Sequence, residues 1–546
     1  MSSNPVINWV ALTPILIVLG AAVIGVLVEA FVPERYRRNT QLVVSFLAVA
    51  GAFVAVIAQW KKVGDLGYAV VLKLNEQAAV GTLFEDRLAI VFQAIVLPCA
   101  LFALLIAADR TATGEGAFAA SAATQPGSSE EREANRLGAE QTEVFPLMLF
   151  SIAGMLAFAM SGDFLTMFIS LEVLSLPLYV LCATARRRRA LSQEAALKYF
   201  LLGAFSSAFF LMGVALLYGF SGGFNLWNRA YLEASGQELL LIAGTTLVLI
   251  GLLFKVGAVP FHSWVPDAYQ GAPTPVTGFM AAGTKIAVFA AVLRLLGGAD
   301  NSNTIGWSAV SLYETLKPVL WIIVIATILV GTVLGIVQRD IKRMLAYSAI
   351  SHAGFLLIGV TAFFGANAAV VSATLRGQMS EVGFAANIVP IAFYLLSYGL
   401  ASVGAFGVIT LVRDRDEAGN ILGEATAIDH WKGLGKTNPV LAVCMTVFLL
   451  SFAGIPLTSG FIGKFVVFAA GVSGGQTVLV VFAVLASAAT AFFYFRVILN
   501  MFFRQPDPAT SVTVASEGYA GVAIIACAAL TIVLGILPGP VLGLLS

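Results

Sequence analysis

Charge is scarce in this sequence. Only 11% of the 546 residues are Asp, Glu, Lys or Arg, the formal net charge is +1, and 59% of the residues are hydrophobic. The mean hydropathy is +0.92. Soluble domains carry about 25% charged residues, so this composition excludes an ordinary soluble protein and indicates that lipid surrounds most of the chain. The near-zero net charge also argues against a nucleic-acid partner.

Cysteine is rare as well. The four cysteines, Cys99, Cys182, Cys444 and Cys527, all fall inside apolar segments and lack the spacing of metal ligands. We therefore expect neither a disulfide nor a metal site, and we interpret these thiols as apolar packing residues.

Long apolar runs dominate the chain instead. A membrane-spanning helix needs about 20 apolar residues, so we predict an all-α polytopic membrane protein, a single transmembrane domain over residues 1–546 with about 14 transmembrane helices. The predicted segments are Trp9–Phe31, Gln41–Trp60, Leu88–Ala108, Val144–Met160, Phe164–Ala183, Ala195–Phe220, Leu239–Phe261, Val276–Leu296, Lys317–Val337, Leu345–Gly365, Ile388–Val412, Val440–Ala470, Val478–Phe503 and Ala520–Leu544. The first run lacks a basic n-region and exceeds the apolar core of about 7–15 residues of a cleaved signal peptide, so it is expected to be a retained helix.

Basic residues in the loops predict an orientation. If the helices alternate, four basic loops fall on one side, which the positive-inside rule makes the cytoplasm and which leaves both termini outside. These loops carry Arg35, Arg37 and Arg38; Arg186–Arg189; Arg339, Lys342 and Arg343; and Arg413, Arg415, Lys432 and Lys436. The long loop Lys61–Arg87 is also basic but falls on the outer side, against the rule. A further loop, Thr111–Thr142, is rich in Ala, Gly, Ser and Glu, and we predict that it is a flexible insertion.

Four charged residues lie inside apolar segments: Glu172, Lys255, Lys285 and Lys464. A charge near the bilayer centre costs about 2.5–3.5 kcal/mol even on the mildest scale. Such residues usually face the protein interior, find partners and mark an ion or proton path. The sequence therefore predicts a path for protons through the membrane.

Two apolar segments are interrupted. The stretch Leu239–Tyr269 would span about 45 Å as one straight helix, against a hydrocarbon core of about 30 Å. Gly257 adds backbone freedom and Pro260 removes a donor, so we predict a broken helix with a free carbonyl beside Lys255.

The second interrupted segment, Val440–Ala470, contains Gly454 and Pro456 before Lys464. Transporters use broken helices in corresponding positions of paired repeats. Residues 144–296 and 317–503, which hold predicted helices 4–8 and 9–13, are therefore expected to be two structural repeats.

Other titratable residues have alternatives that the sequence leaves open. Lys198 lies four residues after a glutamate, where a helix-surface ion pair is as good an explanation as a functional role. His262 and His352 suit a proton carrier or a hydrogen-bonded core histidine equally well. Arg294 and Arg496 are predicted to be anchors at the membrane surface.

Several motifs carry a family resemblance. The stretch Gly251–Thr277, GLLFKVGAVPFHSWVPDAYQGAPTPVT, followed by GTKIAVFA around Lys285, resembles the antiporter-like membrane subunits of complex I, the proton-pumping NADH:quinone oxidoreductase. Further motifs are FISLEVLSLPLYVL around Glu172, ALKYFLLGAFSSAF from Ala196, RDIKRMLAYSAISHAGF from Arg339 and GIPLTSGFIGKFVVF from Gly454. The resemblance covers about Leu88 to Phe503 in the expected order.

Details of these motifs are similar to subunit N, the counterpart of mitochondrial subunit 2. That subunit is resembled in the residues of two segments, PFHSWVPDAYQGAPTPVT and KYFLLGAFSS, and in the lysine of the twelfth helix. The chain also ends without the long lateral helix expected of subunit L. The resemblance implies a place in the bacterial cytoplasmic membrane, inverted five-helix repeats, and neighbours in the antiporter-like subunit M and the small subunit K.

The resemblance also implies roles for single residues. They are a coupling pair of Glu172 and Lys255, a central relay at Lys285, an exit or lateral-transfer lysine at Lys464, an assisting lysine at Lys198, and secondary positions at His262 and His352. Burial disfavours the charged form of an amine and a nearby carboxylate favours it, so changing the separation of the coupling pair would load or release a proton.

No Gly-rich dinucleotide fingerprint or iron–sulfur cysteine pattern occurs in the sequence. This chain is therefore expected to hold no cofactor, and NADH, FMN, iron–sulfur clusters and quinone would be bound by partner subunits. The alternative function is a subunit of an Mrp-type sodium/proton antiporter, whose large subunits share the fold, although the PFHSWVPDAYQGAPTPVT segment favours complex I. A purely structural scaffold would leave the four buried charges unexplained.

Overall fold

The structure is a computed structural model. It describes residues 6–66, 68–70, 72–73, 82–110, 116–119, 128–130, 133, 141–226, 238–297, 312–375, 388–415, 421–505, 511–514, 516 and 518–545. Most of the predicted insertion Thr111–Thr142 lies outside these residues.

Helices make up nearly all of the regular structure that is described. They are α1 (Trp9–Phe31), α2 (Glu34–Leu66), α3 (Arg87–Ala108), α4 (Val144–Met160), α5 (Phe164–Cys182), α6 (Arg189–Ser221), α7 (Glu238–Val256), α8 (Trp264–Gly271), α9 (Thr274–Phe279), a π-helical turn (Met280–Thr284), α10 (Lys285–Gly297), α11 (Tyr313–Val337), α12 (Ile341–Leu375), α13 (Val389–Leu411), a 3₁₀ turn (Ile428–Trp431), α14 (Leu434–Thr437), α15 (Pro439–Ala453), α16 (Ser459–Ser473), α17 (Thr477–Phe503), α18 (Tyr519–Ile536) and α19 (Gly539–Leu545).

The prediction of an all-α polytopic membrane fold is confirmed. Within the described part of the chain, 12 helical stretches are long and apolar enough to cross a membrane, and the π turn joins α9 and α10 into one of them. The two remaining predicted segments correspond to α4, which has 17 residues, and to the pair α15–α16, which a turn interrupts. Helices α2 and α6 reach 33 residues each and so extend past the predicted bounds.

Short strands lie at the two ends of the helix bundle. At one end, β1 (Val6–Ile7) pairs with β3 (Leu72–Lys73), and β2 (Tyr68–Val70) pairs with β4 (Phe84–Asp86), both antiparallel. At the other end, β5 (Val412–Arg415) lies between β6 (Ile421–Glu424) and β7 (Ser511–Thr513) in an antiparallel sheet.

Contacts between loops show which connections share an end. Phe118 bridges Ala185, and Asp340 bridges Ala427, so the predicted basic loops after α5, α11 and α13 lie together. They surround a pocket that is partly open to solvent, and its charged lining residues are Arg186, Arg187, Arg188, Lys342, Arg413 and Glu424. These three basic loops therefore share one end of the bundle, as the loop charges predicted, and we call this end the basic end.

The middle of the bundle is enclosed by protein. The stretch Thr274–Leu296 is fully buried, and Ile341–Ala366 and Val389–Leu411 are nearly so, whereas fewer than half of the residues in the apolar stretches of α1, α2, α6, α11 and α17 are buried. Charged side chains on the central helices therefore face other helices, where hydrogen bonds must satisfy them.

Candidate functional site

The first predicted helix break is present. Helix α7 ends in a Schellman motif, in which the amide of Gly257 bonds to the carbonyl of Phe254 at 3.0 Å and that of Ala258 bonds to Leu253 at 3.0 Å. Gly257 has φ +80°, a left-handed conformation that L residues rarely adopt. The break therefore begins at this glycine, three residues before Pro260.

Lys255 lies in the last turn before this break and is 3% exposed. Its amine donates to the hydroxyl of Ser175 at 2.9 Å and to that of Tyr179 at 2.7 Å, both on α5. The amine also lies 5.0 Å from the centre of the Tyr179 ring. The partners are thus side-chain hydroxyls rather than the carbonyl that we expected the break to free.

Glu172 lies one turn before Ser175 on α5. Its carboxylate accepts a hydrogen bond from Ser207 of α6, and its side chain is partly exposed at the surface of the chain. Glu172 and Lys255 form no ion pair within 4.0 Å, and Ser175 and Tyr179 occupy the amine instead. Glu172 therefore lies on the same face of α5 as the two residues that bind Lys255, but the predicted coupling pair is not in direct contact.

Lys198 lies apart from the other lysines. Its side chain is 46% exposed and forms ion pairs with Glu194 at 2.7 Å and with Asp267 of α8 at 3.0 Å. Burial alone would raise the pKa of Asp267, but hydrogen bonds from Lys198 and Arg343 hold it below its usual range. The surface ion pair, one of the two alternatives for Lys198, is thus present.

Lys285 begins α10 directly after the π turn and is 3% exposed. Its amine bonds to the carbonyl of Ala349 on α12 and lies 5.0 Å from the ring centre of Tyr398 on α13. Single π turns inside helices often mark functional positions, and no residue pattern in the sequence indicated this one.

His352 lies in a cluster of tyrosines next to Lys285. Its Nδ1 is 2.6 Å from the hydroxyl of Tyr394, and its Nε2 is 3.2 Å from that of Tyr494. The imidazole ring is 5.1 Å from the ring of Tyr398, which also contacts Lys285, and 5.6 Å from the ring of Phe452. The role of His352 was open from the sequence alone, and no motif indicated these tyrosines.

Lys464 lies on α16, beyond the second break, and is 5% exposed. Its amine donates to the carbonyls of Phe452 at 2.7 Å and Ala453 at 3.0 Å, and to the hydroxyl of Ser487 at 2.8 Å. The two carbonyls belong to the last residues of α15. Here the broken helix supplies the free backbone carbonyls beside a buried amine.

Two further residues differ from the sequence-based expectation, and His262, whose role the sequence left open, lies outside the contacts of the buried lysines. Arg294 is fully buried and holds Asp86 through two bonds of 2.7 and 2.8 Å, so the prediction of a membrane-surface anchor is wrong. Lys342, expected in a loop, is 1% exposed in the first turn of α12 and bonds to the carbonyl of Ala272 at 2.7 Å. His262 lies half-buried in the turn between α7 and α8, and none of the bonds made by Lys255, Lys285 and Lys464 involves it.

Side chains that can accept and release protons thus line the middle of the bundle from α5 to α17. No group of three or more His, Cys, Asp or Glu that could hold a metal occurs in the described part of the chain. The four cysteines are free and buried, in agreement with the packing role that we expected.

Comparisons with known proteins give the family. The family model described as NADH:quinone oxidoreductase/Mrp antiporter matches residues 161–389 and 379–490. NADH-quinone oxidoreductase subunit N of Beutenbergia cavernae is 51% identical over 100% of this chain and 98% of its own length.

Solved structures agree with this family. A chain of respiratory complex I from Thermus thermophilus with bound aureothin is 28% identical, with a TM-score of 0.72 and coverage of 98% of this chain and 99% of its own. A chain of the Mrp complex from a Dietzia species has a TM-score of 0.73 over 97% of this chain and 96% of its own, but only 22% identity, so it shows a shared fold alone. The resemblance found in the motifs is confirmed: the chain belongs to the family of NADH-quinone oxidoreductase N subunits, in the membrane arm of complex I.

Proposed function

We propose that this chain carries protons across the membrane along the row Glu172, Lys255, Lys285, His352 and Lys464. One observation carries the proposal. The three lysine amines are each at most 5% exposed, and their hydrogen bonds go to neutral oxygens, without an ion pair to any carboxylate of the described residues. An amine in such a site can lose its proton without leaving a buried carboxylate unpaired, which is what a relay requires.

The proton is first bound at Lys255, beside the first helix break. A carboxylate favours the charged form of an amine, and the effect grows steeply as the two approach in a medium of low dielectric constant. Glu172 is held by Ser207, and Lys255 by Ser175 and Tyr179, so a small shift of α5 against α7 changes the separation of the two charges. Approach of Glu172 binds a proton at Lys255, and retreat releases it.

Transfer between the repeats passes through His352. Its two ring nitrogens face Tyr394 and Tyr494, so imidazole can take a proton at one nitrogen and give one up at the other. Tyr398 connects the ring to Lys285, and Phe452 contacts the ring and accepts a hydrogen bond from Lys464 at its carbonyl. Lys464 is then the exit or lateral-transfer group. Lys198 and His262 lie outside this row. Lys198 assists the first pair through its neighbour Tyr199, whose ring contacts that of Tyr179.

The two halves, residues 144–296 and 317–503, act as inverted repeats, each contributing one broken helix. We place the basic end in the cytoplasm and both termini outside, with subunits M and K as neighbours. The sequence contains no dinucleotide or cluster-binding pattern, so NADH oxidation and quinone reduction take place in partner subunits that bind NADH, FMN, iron–sulfur clusters and quinone.

Replacing Lys285 by Arg tests the proposal in the assembled enzyme. Arg keeps its proton at any accessible pH, so Lys285→Arg preserves the charge but blocks transfer. We expect the rate of proton transport during NADH oxidation, measured in sealed vesicles, to fall by about tenfold. Lys317→Arg, at the start of α11 and outside the proposed row, is the matched control and should pump normally. Normal pumping by Lys285→Arg at normal turnover would show that Lys285 is not a relay.

A further inference from the structure

A buried ion pair lies at the end of the bundle opposite the basic end. Arg294, near the end of α10, binds both carboxylate oxygens of Asp86, and its Nε donates to the carbonyl of Ala159 at 2.9 Å. Asp86 also caps α3 by accepting from the amide of Ala89 at 2.8 Å. Both members of the pair are satisfied, so this pair is neutral and has little capacity left to stabilise another charge.

Glu85, the residue before Asp86, is not satisfied. Its side chain is 1% exposed, and neither carboxyl oxygen has a hydrogen-bond partner among the described residues. Successive side chains of a strand point to opposite faces, so Glu85 of β4 does not share the guanidinium that Asp86 binds. An ionised carboxylate without partners is strongly disfavoured in such a site, so the group holds a proton instead.

The surroundings of Glu85 raise its pKa on balance. Burial and the adjacent Asp86 raise the pKa of Glu85 to about 8, and Arg294 opposes them only partly. Of the elements packed on β4, α4 has no titratable residue, and α3 brings Arg87, which is directed at the carbonyl of Leu544. Tyr68 of β2 lies opposite Asp86 in the strand register. The carboxyl can therefore bind and release a proton near physiological pH.

A second buried polar side chain without a hydrogen-bond partner among the described residues lies on α3, deeper in the membrane than Glu85. Gln93 of α3 is fully buried, and both of its amide atoms are without a partner among the described residues. It follows Asp86 by seven residues, two helical turns, and so lies on the same face of α3, further into the membrane. Lys285 precedes Arg294 by nine residues on α10, about 14 Å along the helix. Buried polar groups that lack protein partners usually bind water, which can conduct protons over such a distance.

We propose that Glu85 is a proton-binding site of the outer half of this chain, connected to Lys285 past Gln93 and the Asp86–Arg294 pair. This inference rests on the proposed function and extends it to a group outside both repeats. The step is a proton transfer alone: a proton arriving through internal water forms the O–H bond of the Glu85 carboxyl, and the same carboxyl then loses a proton to water at the outer surface. No electron moves, and no other bond forms or breaks.

Infrared difference spectroscopy of the assembled enzyme tests the protonation. We expect the carbonyl band of a protonated carboxylic acid in wild type minus Glu85→Gln at pH 6, and its loss as the pH rises through about 8. Glu314→Gln removes an exposed carboxylate from the start of α11 and should leave that band in place. Absence of the band at pH 6 would overturn the proposal, because Glu85 would then be ionised.

Proton pumping tests the role. Gln has the shape and charge of the protonated acid, so a structural role survives Glu85→Gln, whereas proton transfer does not. We expect a fall of about twofold or more in protons moved per NADH, with partial recovery in Glu85→Asp, which restores a titratable group. Should Glu85→Gln fail to assemble, a shifted midpoint of the band in Glu85→Asp supports the site and an unchanged midpoint opposes it.

The outcomes separate this inference from the proposed function. If Lys285→Arg loses pumping while Glu85→Gln pumps normally, the relay remains and the outer site is wrong. If both variants pump normally, the proposed function fails as well.

Discussion

The two broken helices of this chain end in the same way but hold their lysines differently. Both α7 and α15 close with a Schellman motif around a left-handed glycine, Gly257 with φ +80° and Gly454 with φ +81°. Lys255 precedes its break and bonds to the side chains of Ser175 and Tyr179 on another helix.

Lys464 follows its break and bonds mainly to backbone. Two of its three partners are the carbonyls of Phe452 and Ala453, which the end of α15 leaves free. Carbonyls of a helix end are fixed by the fold, whereas hydroxyls on a facing helix move with that helix. The same local motif thus gives an adjustable site at the first break and a rigid one at the second, which fits loading at Lys255 and passage at Lys464.

Removing the amine of either lysine should impair pumping more than any other change at the two breaks. Lys255→Met and Lys464→Met should both nearly abolish pumping, but Lys464→Met should also lower stability more, by about 1–3 kcal/mol, because two buried carbonyls lose their donor and cannot turn away. Ser175 keeps its own bond to the carbonyl of Leu171 in Lys255→Met. The two lysines are similarly buried, so each variant is the control for the other. Thermal unfolding of the purified complexes gives the comparison; equal losses would contradict a difference in rigidity.

The sequence predicted both breaks and all three buried lysines because each depends on local information. A charge in an apolar run and a Gly-Pro interruption are visible in the residue order, and their placement at Lys255, Lys285 and Lys464 needed no tertiary contact. The fold class followed from segment length alone.

The partners of the lysines could not be predicted in the same way. Tyr394, Tyr398 and Tyr494 surround His352 from two other helices, and tyrosines in apolar segments look like packing residues until the helices are placed. Arg294 near a helix end has the pattern of a surface anchor, and only its pairing with Asp86, more than 200 residues away in the sequence, shows otherwise.

A methyl group added at the left-handed glycine of each break should strain both helix ends. Gly257→Ala and Gly454→Ala both force an L residue into the left-handed region, at a cost of about 1–2 kcal/mol each. The new Cβ would lie 2.8 Å from a methyl group of Val265 in the first and 2.9 Å from Cδ of Lys464 in the second. We therefore expect similar losses of thermal stability but a larger loss of pumping in Gly454→Ala. Equal pumping would show that the position of Lys464 tolerates displacement and that the second site is not rigid.

Removing a single hydroxyl partner of either lysine should have a smaller effect, which differs between the two breaks. Tyr179→Phe removes one of the two hydrogen bonds of Lys255, and Ser487→Ala removes one of the three of Lys464 while both carbonyls remain. A single hydrogen bond contributes about 0.5–1.5 kcal/mol, so either variant should assemble and keep most of its stability. Because Tyr179 binds Lys255 and lies on the same face of α5 as Glu172, we expect its loss to change the dependence of pumping on external pH. Ser487→Ala should leave that dependence as in wild type. A pH profile of proton translocation in sealed vesicles measures both. A shift in Ser487→Ala but none in Tyr179→Phe would reverse the assignment, making the second break the adjustable site.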